Sequence, residues 1–183
     1  MTREEFGKLL GMETDLIPKG KRNRSGMSLK VEYITIHNTS NDRLGADARA
    51  HAKFVSNVGF YEVTVKGVKK RQWVSWHYTV DDKRIVKHLP DKERGIHAQA
   101  GNSNSLGIEI CMNKGIDQEK AFLRAARLTA SLLYDYKMDI TKVVPHRHWT
   151  KKNCPILLLN GGNPGVKWNA FKELIAKEMK RIG

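Results

Sequence analysis

Two hydrophobic rhythms alternate along the chain. Phe6, Leu9 and Leu10 recur at helical spacing behind Thr2 and Glu5, a capping-box pair, and Gly11 follows as a stop, so a short first helix is predicted. From Val31 the rhythm becomes strict alternation. In "VEYITIHNT" (31–39) Val31, Tyr33, Thr35 and His37 share one face of a β-branched strand, and Ile34 and Ile36 share the other. His37 then stands at the strand's C-terminal end. The Ala-rich "GADARAHAKFVSN" (45–57) predicts a helix with an Ala46, Ala50, Phe54 stripe. "WVSWHYTVDDKRIVKHL" (73–89) holds two β-rich runs around Asp81 and Asp82, the pattern of a hairpin.

"SLGIEICM" (105–112) alternates again, with Leu106, Ile108 and Ile110 on one face and Glu109 and Cys111 on the other. A carboxylate and a thiol thus share a strand face. Asp117 is placed to cap a long helix in which Phe122, Ala126, Leu132, Leu133 and Tyr136 recur near the helical period. A last helix is expected from Val166 to Ile182, with Trp168, Phe171, Ile175, Met179 and Ile182 on one stripe. Interleaved strands and helices predict an α/β fold, a central mixed sheet with helices against both faces.

Length and composition narrow this picture. At 183 residues the chain can bury a core without covalent staples. The expected organisation is an N-terminal helix and basic linker over 1–30, containing "KGKRNR" at 19–24, and one larger unit over 31–183. Cys111 and Cys154 are too few for a disulfide framework, which leaves one bridge or two free thiols. No run reaches the ~18 apolar residues of a membrane span, and the first 26 residues lack a signal-peptide h-region, so synthesis and folding in a cytosol are expected. Lys plus Arg number 33 against 19 Asp plus Glu, a formal charge of +14 that calls for an anionic partner. Nucleic acid and an anionic cell-wall polymer both satisfy the charge. Without a helix-turn-helix, zinc-finger spacing or interleaved aromatic stripe, no nucleic-acid partner is expected.

Candidate chemistry concentrates in "VVPHRHWTKKNCPI" (143–156), where His146, His148 and Cys154 lie between Pro145 and Pro155. A catalytic zinc takes three ligands from His, Cys and carboxylate and keeps a fourth position for water. His37, His146 and Cys154 supply that number, and nitrogen and sulfur donors suit zinc better than magnesium or calcium. The eight-residue step from His146 to Cys154 is too long for one helix face, and Pro155 favours a loop. On residue types alone, hydrogen-bonded structural histidines are the competing account, as for His51 and His88.

Read together and in order, "YITIHNTSN", "VSWHYTVDD", "HAQAGNSNSLGIEIC" and "VVPHRHWTKKNCP" resemble the type 2 N-acetylmuramoyl-L-alanine amidases. That family includes amidase-type phage lysozymes, prophage autolysins and the peptidoglycan-recognition proteins of animals. The resemblance runs from about Tyr33 to Pro155 and is nearest the phage and prophage branch. It implies hydrolysis of the amide joining the lactyl group of N-acetylmuramic acid to L-alanine. It also implies Zn2+ as cofactor, held by His37, His146 and Cys154, with His148 the rival for His146.

The same resemblance makes Glu109 the proton carrier, against the alternative of an exposed strand glutamate, and places Lys152 beside the metal facing an oxyanion, against that of a solvated loop lysine. His97 and Asn38 are implied at the substrate groove, although Asn38 also suits a turn. Trp76 stands where some relatives carry a catalytic tyrosine, and is read as packing or groove wall. "VGFYEVTVKGVKKRQW" (58–73) is longer than its counterpart and predicts an added hairpin at the groove. The protein is thus expected to be a monomer that lyses peptidoglycan as an endolysin or autolysin, released through a phage holin. A peptidoglycan-binding module without catalysis is the alternative, but recognition members that lose hydrolysis commonly lose the cysteine ligand, and Cys154 is present.

Overall fold

In the computed structural model, which describes residues 1–183, the local signals form elements much as their chemistry dictates. α1 (Arg3–Leu10) starts at a complete capping box between Thr2 and Glu5 and stops at Gly11, whose φ of 55° is left-handed. α2 (Ala48–Asn57) and α3 (Gln118–Asp135) begin at Asp47 and Asp117, whose carboxylates accept from the amides of Ala50 and Lys120. α4 spans Val166–Met179 and buries Trp168, Phe171 and Ile175.

The strands are β1 (Met12–Thr14), β2 (Tyr33–Asn38), β3 (Phe60–Val65), β4 (Val68–Trp73), β5 (Tyr78–Val80), β6 (Ile85–Lys87), β7 (Ser105–Ile110) and β8 (Val143–Pro145). Six of them form one sheet in the order β1-β6-β5-β7-β2-β8, parallel except for the β5–β6 hairpin. β3 and β4 make a separate antiparallel pair. The expected mixed sheet flanked by helices is what forms.

Period-two alternation sorts the sheet into an apolar face and a polar one. Ile34, Ile36, Tyr78, Val80, Leu106, Ile108 and Ile110 join the main core with residues of α1, α3 and α4. Thr35, His37, Thr79 and Glu109 therefore lie on the opposite face. α2 covers the β5–β6 end of that face, with Ala48 and Ala52 against Val86 and Cys111. The part left uncovered is the floor of a groove.

The structure adds detail to three sequence expectations. On α2 the buried residues are Ala48, His51, Ala52 and Val55, whereas Ala50 and Phe54 of the expected stripe overlook the groove. An Ala-rich helix offers several usable stripes, and the sheet selects the one whose small residues fit closest. Residues 1–30 pack with the rest of the chain: Phe6, Leu10 and Leu29 sit in the main core, and β1 extends the sheet beside β6. Within "KGKRNR", buried Asn23 donates to the carbonyls of Val55 and Val74, and Arg24 holds Glu93 through two 2.9 Å bonds. Finally, of the two states left open for the cysteines the structure has the free one: Cys111 and Cys154 are both buried thiols.

Candidate active site and metal centre

Parallel pairing of β2 with β7 sets His37 directly beside Glu109, and pairing of β2 with β8 brings Pro145 level with Ile36, so the chain leaves β8 at His146 next to His37. The two imidazole centroids are 4.6 Å apart. The loop after His146 returns to place Cys154 Sγ 3.8 Å from His37 Nδ1, and a Glu109 oxygen lies 3.8 Å from the same nitrogen. Asn38 holds this return in place, accepting from the Leu157 amide at 2.9 Å and donating to the Ile110 carbonyl at 3.3 Å. One donor atom from each of His37, His146 and Cys154 lies within 4.8 Å of the other two, and all three residues are buried.

A hydrogen-bond chain sets the tautomer of His37. His97 Nε2 lies 3.3 Å from the Ser105 carbonyl, which can only accept, so that nitrogen carries the hydrogen. His97 Nδ1 is then the acceptor for His37 Nε2–H at 3.0 Å. The bare lone pair of His37 is left on Nδ1, facing Cys154 and Glu109.

This donor set fits a metal ion. His146 Nδ1 and Glu109 Oε2 are buried without a hydrogen-bond partner, a rare condition that a cation at this point relieves. Tetrahedral ligand distances of about 2.1 Å to nitrogen and 2.3 Å to sulfur imply an N···S edge of about 3.6 Å, close to the distance found. Burial holds His37 well below the usual imidazole range and takes His146 to about 4, so both keep their lone pairs. Burial also pushes the Cys154 thiol up to about 12 and the Glu109 carboxyl up to about 8. A bound cation supplies the positive charge that the thiolate and carboxylate lack.

Residues 27–156 match the family Amidase_2, N-acetylmuramoyl-L-alanine amidase. The chain belongs to this family. It is 40% identical over 168 residues to the N-acetylmuramoyl-L-alanine amidase CwlH of Bacillus subtilis, covering 89% of this chain and 60% of that protein. Identity to the Bacillus subtilis amidase XlyA is 41% over 162 residues, covering 86% of this chain and 48% of XlyA. This Amidase_2 chain therefore spans roughly half the length of the curated relatives it matches. Among solved structures, the catalytic domain of XlyA aligns at 39% identity and a TM-score of 0.77, over 90% of this chain and 98% of that one. A mutant endolysin from Bacillus subtilis aligns at 40% identity and a TM-score of 0.79, over 91% and 99%.

The other expected residues of this amidase-family chain fall into two groups. Lys152 lines the groove, and its positive charge disfavours protonation of His37, His146 and Glu109. His97 also lines the groove, although its ring nitrogens are occupied by His37 and Ser105. Asn38 and Trp76 also border the groove but are only 3% and 4% exposed, and their polar atoms are committed within the fold: Trp76 donates to Thr79 Oγ1 at 2.7 Å. His148 packs against Tyr33 and Trp149 outside the three-donor cluster. His51 and His88 are buried and hydrogen-bonded, to the Asp47 carbonyl and Thr79.

Two supporting residues escaped the sequence reading. His77 accepts from the Gly107 amide at 3.0 Å and donates to the Glu93 carbonyl at 2.8 Å, locking β5 to β7. Gly107 admits His97, since a Cβ there would come within 2.8 Å of the His97 ring. A glycine inside an alternating strand was the available signal. Because outer partners of metal ligands typically tune affinity by about 10- to 100-fold, His97→Ala is expected to weaken metal binding by that order. Competition with a chromophoric chelator measures it, and unchanged affinity would remove His97 from the supporting shell.

Proposed function

We propose that this chain is a zinc-dependent N-acetylmuramoyl-L-alanine amidase acting on peptidoglycan. The observation that carries the reading is a partnerless buried carboxylate oxygen on Glu109, beside a His–His–Cys donor cluster on the floor of an open groove of about 1220 Å³. Two imidazoles and a thiolate favour zinc among the common ions. Zinc, when bound by His37, His146 and Cys154, supplies a Lewis acid that polarises the scissile carbonyl and acidifies water.

The remaining chemistry belongs to side chains. Glu109 takes a proton from the attacking water as the water oxygen bonds to the lactyl carbonyl carbon, and delivers one to the alanine nitrogen as the C–N bond breaks. Products are the lactyl carboxylate and a free amine. Lys152 faces the oxygen on which negative charge develops. His97 holds His37 with Nδ1 toward the cluster.

Metal analysis combined with digestion of purified peptidoglycan tests this reading. About one zinc per chain and release of L-alanine amino groups are expected; new reducing sugar ends would instead indicate glycosidase chemistry, which uses paired carboxylates.

The reading places the protein at the cell wall, as an endolysin or autolysin, and the +14 charge suits an anionic envelope. Screening shortens from about 10 Å at 0.1 M salt to 3 Å at 1 M. Lysis of intact cells is therefore expected to weaken with salt more than cleavage of a small soluble muropeptide. Equal salt sensitivity of the two assays would count against charge-driven wall association.

A further inference from the structure

The β3–β4 hairpin stands apart from the main sheet, and its two faces differ. In register, Phe60 pairs with Trp73, Glu62 with Arg71 and Thr64 with Lys69 on one face; Tyr61 pairs with Gln72, Val63 with Lys70 and Val65 with Val68 on the other. The first face satisfies itself. Phe60 and Trp73 are in edge contact at 5.1 Å, the Arg71 guanidinium lies 4.5 Å over Phe60, and Arg22 lies 5.9 Å over Trp73.

The second face is open beyond Tyr61, whose ring stacks on Phe54 of α2 at 5.1 Å. Tyr61, Val65 and Val68 are 49%, 44% and 58% exposed, unusual for apolar residues grouped on one surface. Tyr61, Val63 and Gln72 line the same groove as His37, Glu109 and Lys152. At ~3.3 Å per residue each six-residue strand is about 20 Å long, so this wall runs well beyond the donor cluster. A two-stranded hairpin is marginal in water on its own, and burial of its open face against a ligand would add stability.

We propose that the Tyr61–Val63–Val65–Val68 face is a binding wall for the glycan strand of peptidoglycan, continuing the catalytic groove along the polymer. This rests on the amidase reading, because only a polymeric substrate extends so far past the bond that is cut. The chemistry favours sugar over peptide. Sugar rings present apolar faces edged by hydroxyls, which match an aromatic-aliphatic strip beside amide side chains that both donate and accept, here Gln72 with Asn41 and Gln99 of the same groove. Stem peptides carry carboxylates and call for cations. Lys69 and Arg71 lie on the opposite face, and Lys70 alone shares the open one.

The test uses the full chain, teichoic-acid-free peptidoglycan sacculi for cosedimentation, and peptide-free glycan strands as competitor. Val63→Ser/Val65→Ser/Val68→Ser, or Val68→Ser alone should the triple change fail to fold, is expected to raise half-saturation on sacculi. The expected shift for the triple variant is on the order of tenfold, about 1.4 kcal/mol. Free glycan strands should displace wild type. An outer-face Lys69→Ser variant should bind like wild type. Three results would overturn the proposal: inner-face variants that bind normally, displacement by free stem peptide but not by glycan, or a loss in Lys69→Ser equal to that of the inner face, which would indicate an anionic polymer. Amine release measured in parallel keeps the two readings separable. A wild type that binds glycan through this face yet frees no amine fails as an amidase and leaves the wall assignment standing.

Discussion

Cys154→Ser is expected to purify folded but nearly free of metal, with wall lysis lost. The thiol is 1% exposed and its sulfur sits 3.8 Å from His37 Nδ1, so its removal takes a ligand from the centre of the cluster. Serine is smaller and its hydroxyl does not ionise near neutral pH, so only two imidazoles would remain to hold the ion. Metal-linked stability gives a readout independent of turnover. An ion present at a hundred times its dissociation constant stabilises the folded state by about 2.7 kcal/mol. In a chain of this size that corresponds to roughly 5–10 °C in melting temperature. Chelation should lower the midpoint of wild type by about that amount and leave Cys154→Ser unmoved. Full metal occupancy with normal lysis in the variant would sink the ligand assignment.

Much of this arrangement was legible in alternation. The strands around His37 and Glu109 announce themselves through Ile34–Ile36 and Leu106–Ile108–Ile110, and these runs also fix which side chains turn away from the core. Sequence does not state register. Only the pairing of His37 with Glu109 makes a ligand and a carboxylate neighbours, and that is decided by packing between residues 72 positions apart. The resemblance picked out His37, His146 and Cys154, and the fold gathers these donors while leaving His148 outside. The resemblance also implied His97 and Asn38 at the groove, without showing what holds them there. Except for Ser105, which follows His97 closely, their committed partners, His37, Ile110 and Leu157, are distant in the chain and invisible to local pattern. The same holds for residues 19–24, where a basic run reads as linker although Asn23 and Arg24 are anchored by groups at positions 55, 74 and 93.

Glu109→Gln separates the proton carrier from the metal. The substitution keeps shape and length, and it changes a residue already surrounded by protein, so the fold and metal content are expected to match wild type. What it removes is a group able to take and give a proton. The carboxyl lies where both tasks converge: one oxygen is 3.8 Å from His37 Nδ1, and the other is buried with no partner. Loss of general acid-base help typically costs on the order of 10²- to 10⁴-fold, about 3 to 5 kcal/mol of barrier, whereas an ordinary strand carboxylate would cost little. A metal-loaded, folded Glu109→Gln protein should therefore cleave a soluble muropeptide at least about a hundredfold more slowly than wild type. The soluble substrate matters because it removes wall binding from the measurement. Near-normal turnover would make Glu109 structural and move the proton transfer to another group at the groove. Loss of metal together with turnover would mean instead that Glu109 supports the donor cluster, and the hundredfold effect would then say nothing about proton transfer.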